Sequence, residues 1–307
     1  MNMTRLYQQA VSTDRTNVAR SDYKHIEVYP IAGALGAEIH GVDLAQPMDE
    51  ETFDEIRQAF LDHLVVFFRD QDLTPEQQKA FGRRFGDLHH NDFISEIEEH
   101  PEIVRVARAP SDRFVFGNDW HADVTYTEVP ALGSVLYALE VPEFGGDTLF
   151  SNLYIAYETL SDTMKKTLEP LRGLHTAGTI FGTSGAYVQE GYQEGHKGTS
   201  LSHHEASAEV SAHPVVRVHP ETGRKGIFVN SIFTVGIEGM SDEEGRAILD
   251  FLFEHATRPD FTSRFRWEKG SMAFWDNRCT LHYALNDAPG VNRLLHRITV
   301  LDTNAQA

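Results

Sequence analysis

Residues 118–126 read Asn-Asp-Trp-His-Ala-Asp-Val-Thr-Tyr, and within them His121-Ala122-Asp123 sets a histidine and a carboxylate one residue apart. In an extended segment, side chains two positions apart point to the same side, so His121 and Asp123 can converge on one point as a metal chelate requires. The tripeptide by itself is weak, because such pairs also occur on ordinary surfaces and in cores. A third ligand has to come from elsewhere in the chain.

His282 is the candidate, far downstream and just after the strand-end text Trp275-Asp276-Asn277-Arg278. Taken alone it reads more readily as a hydrogen-bonded core histidine. Joined to a sequence-local pair, it completes two histidines and one carboxylate with open positions, the ligand set of non-haem Fe(II) oxygenases. The terminal segment adds cations. Arg293, Leu295, Arg297 and Thr299 share one face of a strand, His296, Ile298 and Val300 the other. The two arginines lie about 13 Å apart along it. Buried guanidinium groups are costly unless paired, and no local carboxylate is evident on that face, so two separate anions are the expected partners. His89-His90 and His203-His204 are set aside, because adjacent residues on a strand face opposite ways.

The elements that must position these residues are short and mostly strand-like. His25 to Leu44 reads as a hairpin, Val65 to Phe68 as a buried strand, and Ile103 to Val106, Val124 to Tyr126 and Ser134 to Leu139 as further strands. Gly145 to Thr148 makes a tight turn. Pro214 to Val218 pairs with Gly226 to Val229, and three strand signals close the chain at Arg264 to Trp267, Met272 to Trp275 and Leu294 to Leu301. Between them stand helices with readable starts. Phe53, Ile56, Phe60 and Leu64 recur at helical steps, Thr74 and Ser241 open capping boxes with Gln77 and Glu244, and Ser161 caps a third helix. Gly178 to Ala212 lacks a period and is expected to be a lid insertion. Met1 to about Lys24 reads as a flexible arm, with a single catalytic domain after it. The sum is a mainly β chain with appended helices around a jelly-roll or barrel core.

Composition narrows the partners. With 27 Lys+Arg against 46 Asp+Glu, the net charge of −19 disfavours nucleic acid and anionic membrane surfaces. The one cysteine, Cys279, excludes an internal disulfide and a cysteine-rich zinc site, and reads as a small buried side chain. No apolar run approaches a membrane span, so a cytoplasmic protein is expected.

At this point the text resembles the taurine and alkyl-sulfate dioxygenase family, Fe(II)- and 2-oxoglutarate-dependent oxygenases that include aryloxyalkanoate-degrading members. The matching stretches are 118–126 (NDWHADVTY), 145–149 (GGDTL), 213–220 (HPVVRVHP), 228–230 (FVN), 275–283 (WDNRCTLHY) and 293–299 (RLLHRIT), in unbroken order. The resemblance implies a double-stranded β-helix, iron held by His121, Asp123 and His282, and 2-oxoglutarate held at its distal carboxylate by Arg293 and Thr148, with O2 as the oxidant. It further implies that Arg297 meets an anionic substrate group and that Phe181 and Phe233 are aromatic pocket walls. Asn91 and Asn118 join the substrate-side candidates. Asn91 and Ile94 stand where taurine-specific members carry a histidine and a tyrosine, which argues against taurine itself.

The expected reaction is hydroxylation, and in some cases thereby cleavage, of a small anionic compound such as an aryloxyalkanoate, alkyl sulfate or sulfonate. A small carboxylate or amino-acid-like metabolite is the alternative within the same family. A zinc-dependent hydrolase or isomerase on the same triad, and a non-catalytic cupin-like protein, are the rivals outside it. A homo-oligomer, dimer or tetramer, is expected.

Overall fold

The computed structural model describes residues 22–94, 96–186, 197–202 and 205–302. Most of the expected arm, residues 187–196 of the lid segment and His203-His204 therefore lie outside the described residues. Numbered along the chain, the strands are β1 (Glu27–Pro30), β2 (Ala37–His40), β3 (Val65–Phe68), β4 (Glu96–Ile97), β5 (His100–Arg108), β6 (Ala131–Glu140), β7 (Thr148–Asn152) and β8 (Arg172–Thr176). There follow β9 (Val210–Pro214), β10 (Val216–Val218), β11 (Lys225–Ile227), β12 (Thr234–Ile237), β13 (Thr262–Phe265), β14 (Met272–Asp276), β15 (Thr280–Ala284) and β16 (Arg293–Leu301).

A large sheet runs β1-β2-β3-β14-β6-β16-β5-β4, and smaller ones run β13-β7-β15, β12-β8-β9 and β10-β11. Phe67, Leu295 and Trp275 of the large sheet pack against Phe150 and Phe265 of the β13-β7-β15 sheet in one apolar core. This is the jelly-roll core that the strand pattern predicts. The central strand β3, Val-Val-Phe-Phe, is buried along its whole length because it is covered on both faces. β16 instead alternates at its start: Arg293, Leu295 and Arg297 are buried in the inter-sheet space, while Leu294 and His296 are half-buried.

Helices seal the outer face of the large sheet. Glu50–His63 starts where Asp49 accepts from the Thr52 N–H and stops where Leu64 turns left-handed at φ 67°. Pro75–Arg83 forms both halves of the Thr74–Gln77 capping box. Phe60 of the first helix stacks on Phe274 of β14 at 4.1 Å, tying helix to sheet. On the far side, Asp242–Ala256 opens with the Ser241–Glu244 box and buries Leu249 and Leu252.

Two expectations are corrected. Val124 to Tyr126 is a turn and not a strand, with Val124 in the left-handed region at φ 56°. Gly178 to Ala212 is not wholly irregular: it includes the helix Gly178–Phe181, a 3-10 turn at Glu205–Ala208 and the start of β9.

Candidate active site

His121 and His282 face each other across a two-bond bridge. The His121 N–H donates to the His282 carbonyl at 3.1 Å, and the His282 N–H returns to His121 at 2.7 Å. This bridge sets the two rings 4.0 Å apart. Trp275, 4.7 Å from the His282 ring, limits its rotation. The Asp123-to-Tyr126 turn then returns the carboxylate to the rings. Nε2 of His121 is 3.8 Å from Oδ1 of Asp123, and Nε2 of His282 is 3.8 Å from Oδ2. The three donor atoms lie within 4.8 Å of one another, so a small inward movement meets one ion. A β-branched residue with positive φ is strained, and the strain at Val124 falls on the turn that aims this carboxylate.

Protonation fits metal ligation. Burial pushes both histidines down, so each is neutral. The His121 Nδ1–H is spent on the Asp119 carbonyl at 2.8 Å, which leaves the Nε2 lone pair for an ion. Burial works against the Asp123 carboxylate, but the Arg297 charge and the Ser134 hydroxyl stabilise it and keep the group below the usual carboxylate range.

Asp123 is locked by a closed ring of hydrogen bonds. Ser134 Oγ donates to its Oδ2 at 2.7 Å, Asn277 Nδ2 donates to Ser134 Oγ at 2.9 Å, and Asn277 Oδ1 accepts from the Asp123 N–H at 3.1 Å. Asn277 Oδ1 also takes the Trp275 indole N–H at 3.0 Å. Below it, Asp276 and Arg278 make a buried two-bond ion pair that His219 joins at 3.0 Å. That cluster, with buried Cys279 beside it, also groups three metal-capable residues. Its carboxylate is already saturated by Arg278, and burial keeps the Cys279 thiol protonated, so it is a brace. Replacing Asn277 by Ala is expected to weaken metal affinity ten- to a hundred-fold, the usual cost of removing such support. Titration of the metal-free protein with Mn(II) reads this, and an unchanged affinity would show that Ser134 suffices.

Two small cavities flank the triad. One is lined by Thr148, Arg293, Val106, Leu136, Trp275, His282 and Arg297. Gly145, at φ 78°, makes the turn that delivers Thr148, and a Cβ there would meet Asp287 at 3.0 Å. The Thr148 hydroxyl accepts from the Trp267 indole at 2.9 Å. Arg293 Nε and NH2 are buried without hydrogen-bond partners among the described residues, and burial pushes this guanidinium down to about 10. Such a group awaits an anion.

The other cavity is aromatic, with Phe181, Phe233, Phe116, Tyr126 and Asn91 around Asp123 and Arg297. Tyr126 meets Phe233 edge-on at 5.0 Å, and Phe93 stacks on Phe181 at 5.1 Å. Each cavity measures about 30 Å³. That holds only a water or two, so side chains must part to admit a larger molecule.

Arg297 lines both cavities. The expectation that it lacks a carboxylate partner is corrected: its NH1 donates to Asp123 Oδ1 at 2.9 Å, because the turn after His121 brings a distant carboxylate under the strand. Its Nε has no hydrogen-bond partner among the described residues. Asn118 is also placed differently from the expectation. Its amide donates to the Ala284 carbonyl at 2.8 Å, and it lines a separate outer cavity of about 430 Å³. Asn91 reaches the aromatic cavity, yet its Oδ1 caps the Phe93 and Ile94 N–H groups. Ser134, Asn277, Phe116 and Tyr126 were not singled out from sequence for the site. Only the Trp275-to-Arg278 text hinted at one of them.

Behind the aromatic wall, Asn230 Oδ1 accepts from the Phe233 N–H at 2.9 Å and its Nδ2 donates to Thr125, which meets buried His175 at 3.2 Å. Burial, helped by His213, pushes His175 down to about 3. The unfolded chain therefore takes up a proton that the folded one refuses between pH 6.5 and 3, and stability falls as pH drops through that window, by at most about 1.4 kcal/mol per pH unit. Substituting His175 by Asn is expected to flatten this limb in denaturation curves taken at pH 7, 5.5 and 4. An equally steep limb would place the acid sensitivity elsewhere.

A jelly roll that gathers two histidines and an aspartate between buried arginines defines a non-haem metal oxygenase scaffold. The chain belongs to the family described as taurine catabolism dioxygenase TauD, TfdA, which matches residues 27–299. It is 33% identical to an alkylsulfatase of Acinetobacter baylyi over 93% of this chain and 88% of the relative. It is 32% identical to the alpha-ketoglutarate-dependent 2,4-dichlorophenoxyacetate dioxygenase of Cupriavidus pinatubonensis, over 89% and 96%. A crystal structure of a taurine dioxygenase from Burkholderia xenovorans superposes with a TM-score of 0.75 at 37% identity, covering 91% of each chain. The protein is a 2-oxoglutarate-dependent dioxygenase using Fe(II) and O2, and the zinc-hydrolase and cupin-like readings give way. Among the described residues no helix is long and apolar enough to cross a membrane.

Proposed function

We propose that His121, Asp123 and His282 hold the iron, that Arg293 and Thr148 receive the distal carboxylate of 2-oxoglutarate, and that Arg297 receives the anionic group of a small substrate. The reading rests on one observation. Arg293 and Arg297 keep buried N–H donors that have no hydrogen-bond partner among the described residues, and both line a cavity with His121 and His282 of the cluster that Asp123 completes. Ferrous iron with 2-oxoglutarate supplies the oxidant, so that O2 and the 2-oxo acid become succinate and carbon dioxide while a substrate C–H becomes C–OH.

The residues of this chain then orient and shield. Arg297 presents a planar fork of donors suited to a sulfate, sulfonate or carboxylate. Phe181, Phe233, Phe116 and Tyr126 hold an apolar or aryl body and keep water from the site. Burial, with the nearby Asp123 charge, keeps the Tyr126 hydroxyl protonated, a neutral donor in the same pocket. The relatives named above act, by their names, on an alkyl sulfate, an aryloxyacetate and taurine. An aromatic box in which Asp123 is the one lining carboxylate favours the first two kinds over an aminosulfonate or amino acid. Succinate release under air, with Fe(II) and 2-oxoglutarate, is measured across alkyl sulfates, aryloxyalkanoates and sulfonates. Substrate-stimulated succinate is expected with at least one of the first two. None with any anion would sink the substrate class.

A further inference from the structure

Antiparallel pairing of β5 with β16 places Arg108 directly opposite Arg293. Directly opposed residues share a face of the sheet, with Cβ atoms about 5 Å apart, and like charges so placed repel. Both arginines are 8% exposed, so water screens little of that repulsion. The arrangement is only partly offset locally. Asp147 is the carboxylate that acts on Arg293, and its Oδ2 is taken by Arg264 at 2.6 Å. Arg108 is itself fixed, its NH1 donating to the Ala288 carbonyl at 3.0 Å, while its Nε is buried without a hydrogen-bond partner among the described residues. Two buried cations carry three unpartnered nitrogens between them, Arg108 Nε and Arg293 Nε and NH2. One guanidinium would suffice to meet one carboxylate in a fork. A second, held opposite at a cost in repulsion, raises the positive potential of the pocket.

We propose that Arg108 is a positioning and selectivity residue of the cosubstrate pocket, a second cation that makes the Arg293 subsite demand a 2-oxo acid with a charged distal end. This rests on the assignment of Arg293 to the distal carboxylate. Arg108 acts through the field it adds.

The test is calorimetric binding to Mn(II)-loaded protein without oxygen, using 2-oxoglutarate and 2-oxopentanoate, which shares the 2-oxo acid end and lacks the second carboxylate. Arg108→Gln is expected to weaken 2-oxoglutarate about ten-fold and to leave 2-oxopentanoate unchanged. Arg108→Lys keeps the charge and is expected to preserve the ratio of the two affinities. Should the Gln variant fail to fold, the Lys variant still decides, because a collapsed ratio there overturns the charge role. Equal weakening of both ligands would overturn the proposal, since it would mark Arg108 as a structural anchor for Ala288, and so would no weakening. Failure of the unaltered Mn(II) protein to bind 2-oxoglutarate would overturn the Arg293 assignment itself, a result distinct from any variant effect.

Discussion

Asp123→Ala is expected to abolish both metal binding and substrate-dependent succinate release, with a loss well beyond the ten- to hundred-fold that removing an outer support costs. Three effects add at this one position. The site loses its only anionic ligand and keeps two neutral histidines, which hold a hard divalent ion such as Fe(II) poorly without a carboxylate. Arg297 loses the carboxylate its NH1 bonds at 2.9 Å and is left as a buried, unpaired cation. Ser134 loses the acceptor that closes the ring it shares with Asn277. Breaking a buried ion pair from one side typically costs about 3–5 kcal/mol, so thermal stability of the metal-free protein falls as well. Mn(II) titration and a melting curve read the two consequences separately. Retained metal affinity in the Ala variant would show that His121 and His282 find another carboxylate.

This prediction also shows what the amino-acid sequence could and could not disclose. His121 and Asp123 are legible because they are neighbours in the chain, yet the alternation of an extended strand is only half of what brings them together. Their side chains converge because His121 bridges to His282 and the backbone turns at Val124, and no continuous strand runs through Tyr126. His282 could be proposed from its distance and its surroundings. Its strand β15 could not, because five residues ending in a half-exposed stretch carry little periodicity and owe their conformation to pairing with β7. The same holds for β8, whose Arg-Gly-Leu-His-Thr lacks alternation. Capping boxes at Thr74 and Ser241 were readable because every group involved lies within one turn. Ser134 and Asn277 were not, since they come from different parts of the sheet and mean nothing apart. Arg297 illustrates the limit most clearly: its face on β16 follows from a period of two, but its partner is fixed by a contact between residues 174 positions apart.

Arg297 and Arg293 should therefore separate cleanly in kinetics. Arg297→Ala is expected to raise KM for the anionic substrate by about thirty-fold to a few thousand-fold, the range of 2–5 kcal/mol for truncating one partner of a buried charged contact. KM for 2-oxoglutarate should move far less, because Arg293 lies four residues earlier on β16, about 13 Å along the strand, and lines the Thr148 cavity but not the one walled by Phe181 and Phe233. Arg293→Ala should do the reverse. A common origin in misfolding would raise both constants together, so the two-way comparison carries its own control. One further consequence distinguishes the positions. In the structure Arg297 bonds Asp123 through NH1, and the cavity it lines is too small for a substrate, so the side chains must part, and an arriving sulfate or carboxylate that takes NH1 as well as Nε draws the guanidinium partly away from the carboxylate. Substrate binding would then free Asp123 Oδ1 for the metal, and by linkage a bound metal should tighten the anion. Measured with and without Mn(II), anion affinity is expected to rise with the metal in the unaltered protein and to lose that dependence in Arg297→Ala. A dependence that survives the substitution would mean that the metal meets the anion by a route that does not pass through Arg297.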